Sequence, residues 1–461
     1  MPPDPSRSDL HVVVLAAGEG RRMRSDRPKV LQLLGGQPML GHVLEALVPL
    51  GPAAVHVVVG AGAEQVRGAF DSHQPPLRWV EQAERLGTGH AVQQALPSIP
   101  SGARVLVLPG DMPLIRTETL ERLVALDASL AMLTFEPSDP TGYGRILRDD
   151  AGRPVGIREE RDASARERQI GEVNSGVMLA DAERLGAWLD RIGNDNAQRE
   201  YYLTDVVGQA VADGEAVATA GCGQPEEALG ANDRAQLAAL ETALQARRRR
   251  ALMDAGVSLP VPEQVQLRGR VEAGRDVVID VGTVLEGDIV LGDGVEVGPG
   301  CVLRNCRLAA GTRVEAYSVL DGTETTGACR IGPFARLRPG TVLAAGVKIG
   351  NFVETKNAVL AEGAKASHLS YVGDADVGAG ANLGAGTITC NYDGVNKHRT
   401  VIGAEAFVGS NSALVAPVTI GDRATIGAGS TISANAPADA LTVARARQKS
   451  LPGWKRPARK S

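Results

Sequence analysis

Aromatic residues are scarce in this sequence, where Phe, Trp and Tyr together make up 3% of 461 residues. No apolar run approaches the roughly 18 residues needed to cross a bilayer, so no membrane-spanning helix is expected. The only cysteines are Cys222, Cys301, Cys306, Cys329 and Cys390. They form no CxxC pair and their number is odd, which argues against a zinc site or a disulfide framework and favours buried, reduced thiols.

A strong charge of one sign is also missing. The net charge is −5, so the chain has no global attraction to nucleic acid. The first ten residues lack a basic start followed by an apolar core, so we expect no secretory signal and a cytoplasmic location. The length exceeds the roughly 250 to 300 residues that one hydrophobic core supports, which predicts two or three domains.

The first half of the chain alternates short apolar runs with helix-period segments. The runs HVVVL, AVHVVV and RVLVL are separated by MLGHVLEAL and by a helical pattern near residues 63–70. This alternation predicts an α/β domain with a mostly parallel sheet covered by helices.

A polar segment from Asn232 through Arg247–Arg250 follows and ends near a glycine, which predicts a linker helix. The arginine run permits two interpretations. A nucleic-acid patch is one, and we favour the other, a solvated cationic turn that complements the helix dipole.

Glycine is abundant, with 55 of 461 residues, about 12% against a usual 7%. The excess accompanies a repeat of six behind residue 260. Aliphatic residues recur at that spacing at Ile279, Leu285, Leu291, Val297 and Leu303, at Ile331, Leu337, Leu343 and Ile349, and at Ile402, Val408, Leu414, Ile420, Ile426 and Ile432. A period of six predicts an all-β parallel β-helix, whose narrow interior leaves little room for aromatic rings.

Two segments interrupt the hexapeptide repeat. CNYDGVNKHRT, before Ile402, is too polar to stack, which predicts an extruded loop. ARARQKSLPGWKRPARKS, after Val443, is a basic tail without the repeat. Insertions in a solenoid usually map to one functional face, so both segments are candidates for function.

Phosphate-binding features follow the first apolar run. The segment LAAGEGRRM sets Gly18 and Gly20 where the chain must turn and expose backbone N–H groups. An ordinary strand-to-helix turn would look similar, but Arg22 and Lys29 add two cations suited to a triphosphate. A third glycine and a GK[ST] motif are both missing, which argues against a dinucleotide fold or a P-loop and leaves a nucleotidyltransferase.

A single acidic residue, Asp111, follows the apolar run RVLVL in the motif PGDMPL. Ligands bind at the carboxyl ends of parallel strands, and one carboxylate there suits Mg²⁺, which takes further ligands from phosphates and water. A turn or cap residue is the alternative for Asp111.

Acyl transfer to an amine requires a general base, and histidine suits neutral pH. Behind the linker only His368 and His398 are available, and His368 lies beside an irregularity of the repeat. A structural histidine is the alternative.

The motifs LAAGEGRRM with PKVL, QAERLGTGHA, PGDMPL, TGYGRI, VNSGV and EYYLTD resemble the uridyltransferase half of the bifunctional GlmU family, which joins N-acetylglucosamine-1-phosphate uridyltransferase to glucosamine-1-phosphate acetyltransferase. The resemblance implies that Leu15, Ala16, Ala17, Gly18, Arg22 and Lys29 bind the nucleotide phosphates, Gln82, Gly87 and Thr88 the uridine side, Gly144, Glu159 and Asn174 the amino sugar, and Asp111 with Asn232 Mg²⁺. Asn232 has an alternative role as N-cap of the linker helix. The family commonly has an aromatic residue at the position of Pro109, before Gly110 and Asp111, so nucleotide contact there rests on the backbone.

The motifs GPFARLRPG, NFVETK, SHLSYVGD and GAGTITCNYDG resemble the acetyltransferase half. This resemblance makes His368 the base. It assigns Arg338 and Lys356 to the sugar phosphate, Tyr371 and Asn382 to the sugar, and Ala385, Asn391, Tyr392, Ser410, Ala428 and Arg445 to acetyl-CoA. Solvated charges at the coil corners are the alternative for Arg338 and Lys356.

The resemblance covers nearly the whole chain and implies three parts. Residues 1–231 form a Rossmann-like nucleotidyltransferase domain, 232–252 a linker helix, and 253–461 a left-handed parallel β-helix with acetyltransferase activity and a basic tail. The implied substrates are glucosamine-1-phosphate, acetyl-CoA, N-acetylglucosamine-1-phosphate and UTP, and the product is UDP-N-acetylglucosamine. The implied assembly is a homotrimer whose loop and tail reach a neighbour, without nucleic acid or membrane as partner. There are two alternatives. One is a single-activity nucleotidyltransferase whose β-helix is structural, and the other is a non-catalytic regulatory subunit.

Overall fold

The computed structural model describes residues 9–457 and residue 459. The chain forms two compact units, residues 1–244 and 245–461, which we call the front unit and the rear unit. Within the described residues, no helix is long and apolar enough to cross a membrane.

The front unit contains the α/β elements. They are β1 (Leu10–Leu15), β2 (Leu33–Leu34), β3 (Gln37–Pro38), α1 (Met39–Leu47), β4 (Ala54–Val59), α2 (Ala63–Ala69), β5 (Arg78–Glu81), α3 (Thr88–Ala95), β6 (Arg104–Pro109), α4 (Thr117–Val124), β7 (Leu130–Phe135), β8 (Arg145–Arg148), β9 (Pro154–Arg158), β10 (Val173–Asp181), α5 (Ala182–Leu189), α6 (Val206–Ala212), β11 (Val217–Gly221) and the first half of α7 (Arg234–Asp254). Short 3₁₀ turns include Arg21–Met23, Lys29–Leu31 and Leu203–Asp205.

The front sheet has nine strands in the order β11-β7-β10-β6-β1-β4-β5, with β8 paired to β10 and β9 to β8. The neighbours β6, β1, β4 and β5 are parallel, as the alternating pattern predicted. Strand β10 runs antiparallel between β6 and β7, so the sheet is mixed. The sequence pattern did not reveal β10, because its chain arrives through the β8–β9 hairpin and needs no crossover helix.

Helix α7 is shared by the two units. Its Leu240 and Leu244 pack with Met23, Leu34 and Met39 in a small apolar cluster of the front unit. Its second half belongs to the rear unit, where Gln245 exchanges hydrogen bonds of 2.8 and 2.9 Å with the backbone of Leu267. The division between the units therefore falls inside the helix rather than at one of its ends.

The interpretation of Arg247–Arg250 as a solvated C-terminal turn is wrong for two of its members. Arg248 donates to the carbonyl of Leu267 over 2.8 Å, and the buried Arg249 donates to that of Val265 over 3.2 Å. These carbonyls belong to the first coil of the rear unit, next to a strand with one neighbour, so arginine side chains supply their missing donors. The helix continues beyond the run, and its last turn holds no basic residue.

The rear unit consists of short strands. They are β12 (Gln266–Ala273), β13 (Val278–Ile279), β14 (Val284–Leu291), β15 (Glu296–Val297), β16 (Val302–Arg304), β17 (Arg307–Leu308), β18 (Arg313–Val314), β19 (Val319–Asp321), β20 (Thr323–Thr325), β21 (Arg330–Ile331), β22 (Arg336–Leu337), β23 (Thr341–Leu343), β24 (Lys348–Asn351), β25 (Glu354–Leu360), β26 (Lys365–His368), β27 (Tyr371–Val377), β28 (Asn382–Leu383), β29 (Ile388–Cys390), β30 (Thr400–Ile402), β31 (Phe407–Val408), β32 (Ala413–Val415), β33 (Val418–Ile420), β34 (Thr425–Ile426), β35 (Thr431–Ile432) and β36 (Leu441–Thr442).

These strands wind into a three-sided parallel β-helix. The first face is the ladder from β13 to β36. The second face runs from β14 through β16, β19, β22, β25, β27, β29 and β32 to β35, and the third includes β17, β20, β23, β30 and β33, while β12 pairs with β14 along its whole length. The long strands β14, β25 and β27 bend and serve the second and third faces together.

The predicted repeat of six describes the interior of this β-helix. The aliphatic residues of the repeat from Ile279 to Ile432 are at most 2% exposed, and each contributes its side chain to one continuous core. Cys301, Cys306 and Cys329 are buried among them. Burial raises the pKa of each of these three thiols to about 11, so they stay protonated and act as small apolar groups.

Two buried histidines lie side by side in the front sheet, His11 on β1 and His56 on β4. The Ser98 hydroxyl donates to the Ala95 carbonyl, so it accepts the Nδ1 hydrogen of His56. His56 Nε2 then accepts from His11 Nδ1 over 3.1 Å. Burial, together with His11 and Arg78, lowers the pKa of His56 to about 4, and burial and Arg78 lower that of His11, against a smaller opposing effect of Asp9. Both rings are therefore neutral in the folded chain.

This pair predicts that the front unit loses stability in mild acid. The unfolded chain binds a proton at His56 near pH 6.5 and the folded chain only near pH 4, so stability falls as pH drops through this window, by up to about 3 kcal/mol. We expect His56→Asn to flatten this slope, followed through the fluorescence of the buried Trp188. His73→Asn, at a partly exposed position on the loop after α2, is the control, and equal acid slopes in all three proteins would contradict the assignment.

Candidate functional site

The front site is built where parallel strands end. The backbone N–H of Gly110, after β6, donates to the Leu15 carbonyl at the end of β1 over 2.9 Å. The N–H of Ala16 donates to Val58 on β4, and that of Gln82, after β5, donates to Val59. These bonds bring the loops after four neighbouring strands to one edge of the sheet. Because the N–H of Ala16 already donates to Val58, a nucleotide at Ala16 would contact atoms of this residue other than the N–H.

The loop after β1 turns at Gly20. Its φ is +64°, and a Cβ there would lie 2.7 Å from Cβ of Lys29, so both the conformation and the close approach require glycine. Gly18 does not make the turn, contrary to the prediction. A Cβ at Gly18 would meet no protein atom within 4 Å, which leaves the backbone of the loop open to a ligand.

Two arginines of this loop differ in their partners. Glu19 forms ion pairs with Arg21 and Arg85. Arg22 is exposed at the edge of the cleft described below and has no ion pair or side-chain hydrogen bond within the residues that the structure describes. Arg22 is therefore a cation of this loop that can meet a phosphate in the cleft.

Three predicted residues from distant segments converge on one point. The Lys29 ammonium forms an ion pair with Asp111 and donates to Oδ1 of Asn232 over 2.6 Å. The Lys29 and Asp111 side chains are 13% and 19% exposed, so the charges are shielded but accessible. A Cβ at Gly230 would lie 2.8 Å from Oδ2 of Asp111, so a glycine backs the carboxylate.

The same point fits a divalent cation of the magnesium type. The Asp111 carboxylate and the Asn232 amide present two hard oxygens to one place, which is the donor chemistry that Mg²⁺ prefers. In the described part of the chain no cluster of three or more His, Cys, Asp or Glu residues could hold a metal by itself. A cation here would need phosphate oxygens or water as further ligands.

The alternative role of Asn232 as N-cap is wrong. Asp233 caps helix α7, because its Oδ1 accepts the backbone N–H of Gln236 over 2.9 Å. In turn, Oε1 of the Gln236 side chain accepts the backbone N–H of Asn232 over 2.7 Å. This reciprocal arrangement fixes the backbone of Asn232 and leaves its side chain for Lys29.

The three residues predicted for the uridine side lie together between β5 and α3. Gln82 is buried and its amide donates to the Gly87 carbonyl over 3.1 Å. Gly87 has a φ of +115°, and a Cβ there would lie 2.6 Å from the Tyr201 carbonyl oxygen. The Thr88 hydroxyl accepts the backbone N–H of Leu203 over 3.1 Å.

The three residues predicted for the amino sugar also touch one another. The Gly144 carbonyl accepts the backbone N–H of Asn174 over 2.8 Å, and a Cβ at Gly144 would lie 3.4 Å from Oε1 of Glu159. Glu159 accepts the Thr204 hydroxyl over 3.0 Å. Burial raises the pKa of Glu159, and the carboxylates of Asp205, Asp162 and Glu200 raise it further.

A cleft of about 470 Å³ connects Asp111 and Asn232 with Glu159. We call it the sugar cleft below, after the ligand predicted for Glu159. Its lining includes the predicted residues Arg22, Pro109, Asp111, Glu159 and Asn232. It also includes residues that the sequence reasoning missed, among them Tyr143, Arg161, Gln198, Tyr202 and Gln236. Tyr143 and Tyr202 lie in the motifs TGYGRI and EYYLTD, so an aromatic residue inside a recognised motif was the available signal.

Pro109 fits the end of β6 without strain. It pairs in register with Leu15 of β1, and on its other side β10 is irregular between Asn174 and Met178. No regular ladder bond to β10 is lost, although proline has no N–H. A Cβ at Gly176 would lie 3.1 Å from the proline ring, so the ring fills this wall of the sugar cleft.

His368 of the rear unit is exposed and hydrogen-bonded to Asn351, its register partner on β24. Its Nδ1 lies 2.8 Å from Oδ1 of Asn351. Because a carbonyl oxygen only accepts, Nδ1 carries the hydrogen and Nε2 carries a free lone pair. Asn351 opens the motif NFVETK, but the sequence reasoning did not assign it a role.

The corner that begins at His368 continues through the next coils. Register pairs Ala366 with Leu383, Leu383 with Val408 and Val408 with Ile426. The residues two positions further along are His368, Ala385, Ser410 and Ala428, so they form one column, called the His368 corner below. Arg445 reaches this column, because its guanidinium bonds the Ala428 carbonyl.

Cations gather on the second face near its border with the third. Arg338 and Lys356 are register neighbours, and Arg338 donates to Glu354 over 3.0 Å. Contact with Lys397 of the extruded loop, followed by burial, lowers the pKa of Lys356, while Asp374 opposes the shift. An anion binding here would relieve close like charges of this kind, so the pair is compatible with a bound sugar phosphate as well as with the solvated-charge alternative.

Asp374 links this cluster to the extruded loop. The side-chain amides of Asn357 and Asn391 both donate to it, the first over 2.7 Å. The Asn391 amide also lies 3.5 Å from the Tyr371 hydroxyl. The loop forms a small hairpin in which Tyr392 bridges to Lys397, as the polar insertion predicted.

Asn382 is separated from the other residues predicted for the sugar. It lies on the first face in register with Lys365 and Phe407, whereas Tyr371 lies on the second face. The described contacts do not bring the two together. The assignment of Asn382 to the sugar therefore rests on the resemblance alone.

Comparison with known proteins agrees with this organisation. Residues 12–173 match the family described as MobA-like NTP transferase domain. Residues 267–359 match the GMPPB C-terminal domain, and residues 399–434 match the bacterial transferase hexapeptide family, the repeat of left-handed β-helices.

Curated relatives match almost from end to end. A bifunctional protein GlmU of Alkalilimnicola ehrlichii is 57% identical, covering 97% of this chain and 96% of the relative. Bifunctional GlmU proteins of Stenotrophomonas maltophilia and Aromatoleum aromaticum are 55% and 54% identical, each covering 98% of this chain and 99% of the relative. At this identity and coverage, the chain belongs to the family of bifunctional GlmU proteins.

Proposed function

We propose that the front unit joins UTP to N-acetylglucosamine-1-phosphate in the sugar cleft and that the rear unit acetylates glucosamine-1-phosphate at the His368 corner. Membership of the family makes the chain a bifunctional uridyltransferase and acetyltransferase. The assignment of each step to named residues is ours. The observation that carries it is the convergence of Lys29, Asp111 and Asn232 at the sugar cleft.

Uridylyl transfer needs charge compensation more than covalent chemistry. The phosphate oxygen of N-acetylglucosamine-1-phosphate attacks the α-phosphorus of UTP and pyrophosphate leaves, so negative charge grows on the leaving group. Arg22, without an ion pair among the described residues, and Lys29 neutralise the phosphates, while the open backbone at Gly18 approaches them. Gln82, Gly87 and Thr88 hold the uridine, and Gly144, Glu159 and Asn174 hold the amino sugar.

Mg²⁺ is the cation that we assign to Asp111 and Asn232. When bound, it would supply Lewis-acid stabilisation to the phosphates. The two oxygens alone make a weak site, so metal affinity should rise with nucleotide present. Lys29, which both oxygens contact, orients the two side chains beforehand.

In the proposed acetyl transfer, Nε2 of His368 is the general base, because its lone pair is free. Nε2 of His368 takes a proton from the amine of glucosamine-1-phosphate as the amine nitrogen attacks the thioester carbonyl. The C–S bond then breaks, the proton on Nε2 passes to the sulfur, and coenzyme A leaves as its thiol. Asn351 accepts from Nδ1–H throughout and so stabilises the cationic ring. Arg338, Lys356 and Lys397 bind the sugar phosphate, Ala385, Asn391, Tyr392, Ser410, Ala428 and Arg445 bind acetyl-CoA, and Tyr371 and Asn382 contact the sugar.

A homotrimer is the assembly that we propose. Tyr317, Phe334 and Phe352 stack on successive coils with ring centroids 5.4 and 5.5 Å apart, and each is about half exposed. Leu369, 61% exposed, extends this stripe to the residue beside His368. Contiguous apolar surface at a proposed site supports contact with a second copy, and the extruded loop and the basic tail are further segments suited to reach one.

Asp111→Asn should lower uridylyl transfer by about 10²-fold or more, because the charge opposite the phosphates is lost. The measurement is pyrophosphate release from UTP and N-acetylglucosamine-1-phosphate over a Mg²⁺ titration. Acetyl transfer by the same protein should persist with chelator present. Asp181→Asn, far from the sugar cleft, is the matched control. Unchanged metal dependence in the Asp111 variant would exclude this residue from the metal site.

His368→Ala should abolish acetyl transfer and leave uridylyl transfer near the wild-type rate, because the two steps use different units. Asn351→Leu should slow acetyl transfer by about tenfold or more through the lost bond to Nδ1, whereas Asn351→Asp, which keeps an acceptor, should retain more activity. Thiol release from acetyl-CoA measures both. Equal loss of both activities in a folded His368 variant would refute the two-site assignment.

Light scattering of the full chain should give three times 48.0 kDa, about 144 kDa. Phe334→Glu places a charge in the apolar stripe and should reduce both the mass and acetyl transfer. Val48→Glu, at an exposed position of the front unit outside the stripe, the loop and the tail, controls for an added charge. A monomeric wild-type chain with full acetyltransferase activity would overturn the proposed assembly.

A further inference from the structure

Glu159 occupies an unusual electrostatic position in the front unit. It lines the sugar cleft on one side and a smaller cavity of about 250 Å³ on the other. The smaller cavity also contains Asp162, Asp195 and Asp205. A carboxylate in this position is repelled by its neighbours and is partly withheld from water, and both effects favour its protonated form.

The charged groups around Glu159 come from three segments. Asp162 lies on the loop that follows β9, Glu200 and Asp205 come from the segment before α6, and all three raise the pKa of Glu159. Burial raises the pKa of Tyr202, and Asp162, Glu159 and Glu200 raise it further, against a hydrogen bond with Gln198. The cation Arg158 acts on Asp205 and is paired with Glu167, not with Glu159. Arg161 lines the same cleft. Among the described residues, no ion pair holds Glu159.

One group opposes these effects. The Thr204 hydroxyl donates to Oε1 of Glu159 over 3.0 Å and is the only side-chain hydrogen-bond partner of Glu159 among the described residues. This bond acts to lower the pKa of the carboxyl. Thr204 is 7% exposed and lines neither cavity, so it does not face the space where a sugar would bind.

We infer that Thr204 is a positioning residue for uridylyl transfer, which acts on the amino sugar through Glu159. Its hydroxyl donates to Oε1 and fixes the rotation of the carboxylate, which leaves Oε2 to accept a hydroxyl hydrogen of the sugar. This inference rests on the proposed role of Glu159 in binding the sugar. It adds a residue whose contribution is to orientation and protonation rather than to contact.

The test compares Thr204→Val, which removes the hydroxyl at nearly constant volume, with Thr204→Ser, which keeps it. In the full chain, Thr204→Val should raise the KM for N-acetylglucosamine-1-phosphate by about fivefold to tenfold with little change in the KM for UTP. Thr204→Ser should restore most of the loss. Thr117→Val is the matched control, because the Thr117 hydroxyl donates to the Ala46 carbonyl over 2.9 Å and lies outside both cavities.

The pH profile separates positioning from a purely structural role. Removal of the donor leaves only effects that raise the pKa of Glu159, so the acid limb of kcat/KM should move to higher pH in Thr204→Val. A variant that merely lowers the melting temperature, with an unmoved acid limb and an unchanged KM, would overturn the inference. Acetyl transfer by the same preparation reports whether the rear unit is intact.

Glu159→Ala distinguishes the inference from the proposal beneath it. If this variant also leaves the KM for N-acetylglucosamine-1-phosphate unchanged, the sugar-binding role of Glu159 is wrong. If Glu159→Ala raises that KM while Thr204→Val does not, the sugar site stands and only the role of Thr204 is lost.

Discussion

A single ammonium group connects three distant parts of the front unit. Lys29 comes from the segment after β1, Asp111 from the loop after β6 and Asn232 from the start of helix α7, and all three meet at one point. Gly20 must lack a side chain to let Lys29 approach, and Asp233 must cap the helix to release Asn232. Loop conformation, helix start and sheet edge are therefore constrained together, because a shielded carboxylate with no cation nearby would be costly.

The same constraint explains why the first half of α7 belongs to the front unit. Arg234 donates to the Gln32 side chain over 2.9 Å, and Glu241 accepts the backbone N–H of Gly35 over 2.6 Å. Both bonds hold the segment that carries Lys29. The helix is thus a wall of the front site as well as a connection. A boundary drawn at its first residue, which composition suggests, would separate Lys29 from groups that position it.

The periodicity of the sequence predicted the repeated core positions of the rear unit. It could not predict residues whose position depends on one particular contact. The spacing of six located the buried aliphatic residues of the rear unit, because a β-helix places one such side chain on each short strand. It said nothing of Arg249, whose burial depends on carbonyls that lack a ladder partner. The motifs led to Glu159 and His368 as candidate site residues, but not to Thr204 or Asn351. These two residues act through a hydrogen bond to a candidate residue, and that bond is visible only in the structure.

The two sites prepare their charged groups in opposite ways, and the difference follows from their chemistry. At the front site Glu159 is half-buried beside other acids, and the hydroxyl donor Thr204 favours its ionised form, which suits the proposed recognition of sugar hydroxyl groups. At the rear site Lys356 and Lys397 are brought together near Asp374, and the repulsion between them lowers the pKa of Lys356. The proposed sugar phosphate would bring opposite charge beside these two cations. Within the described chain the His368 side chain bonds to the neutral amide of Asn351 and forms no ion pair, which leaves Nε2 open to a substrate.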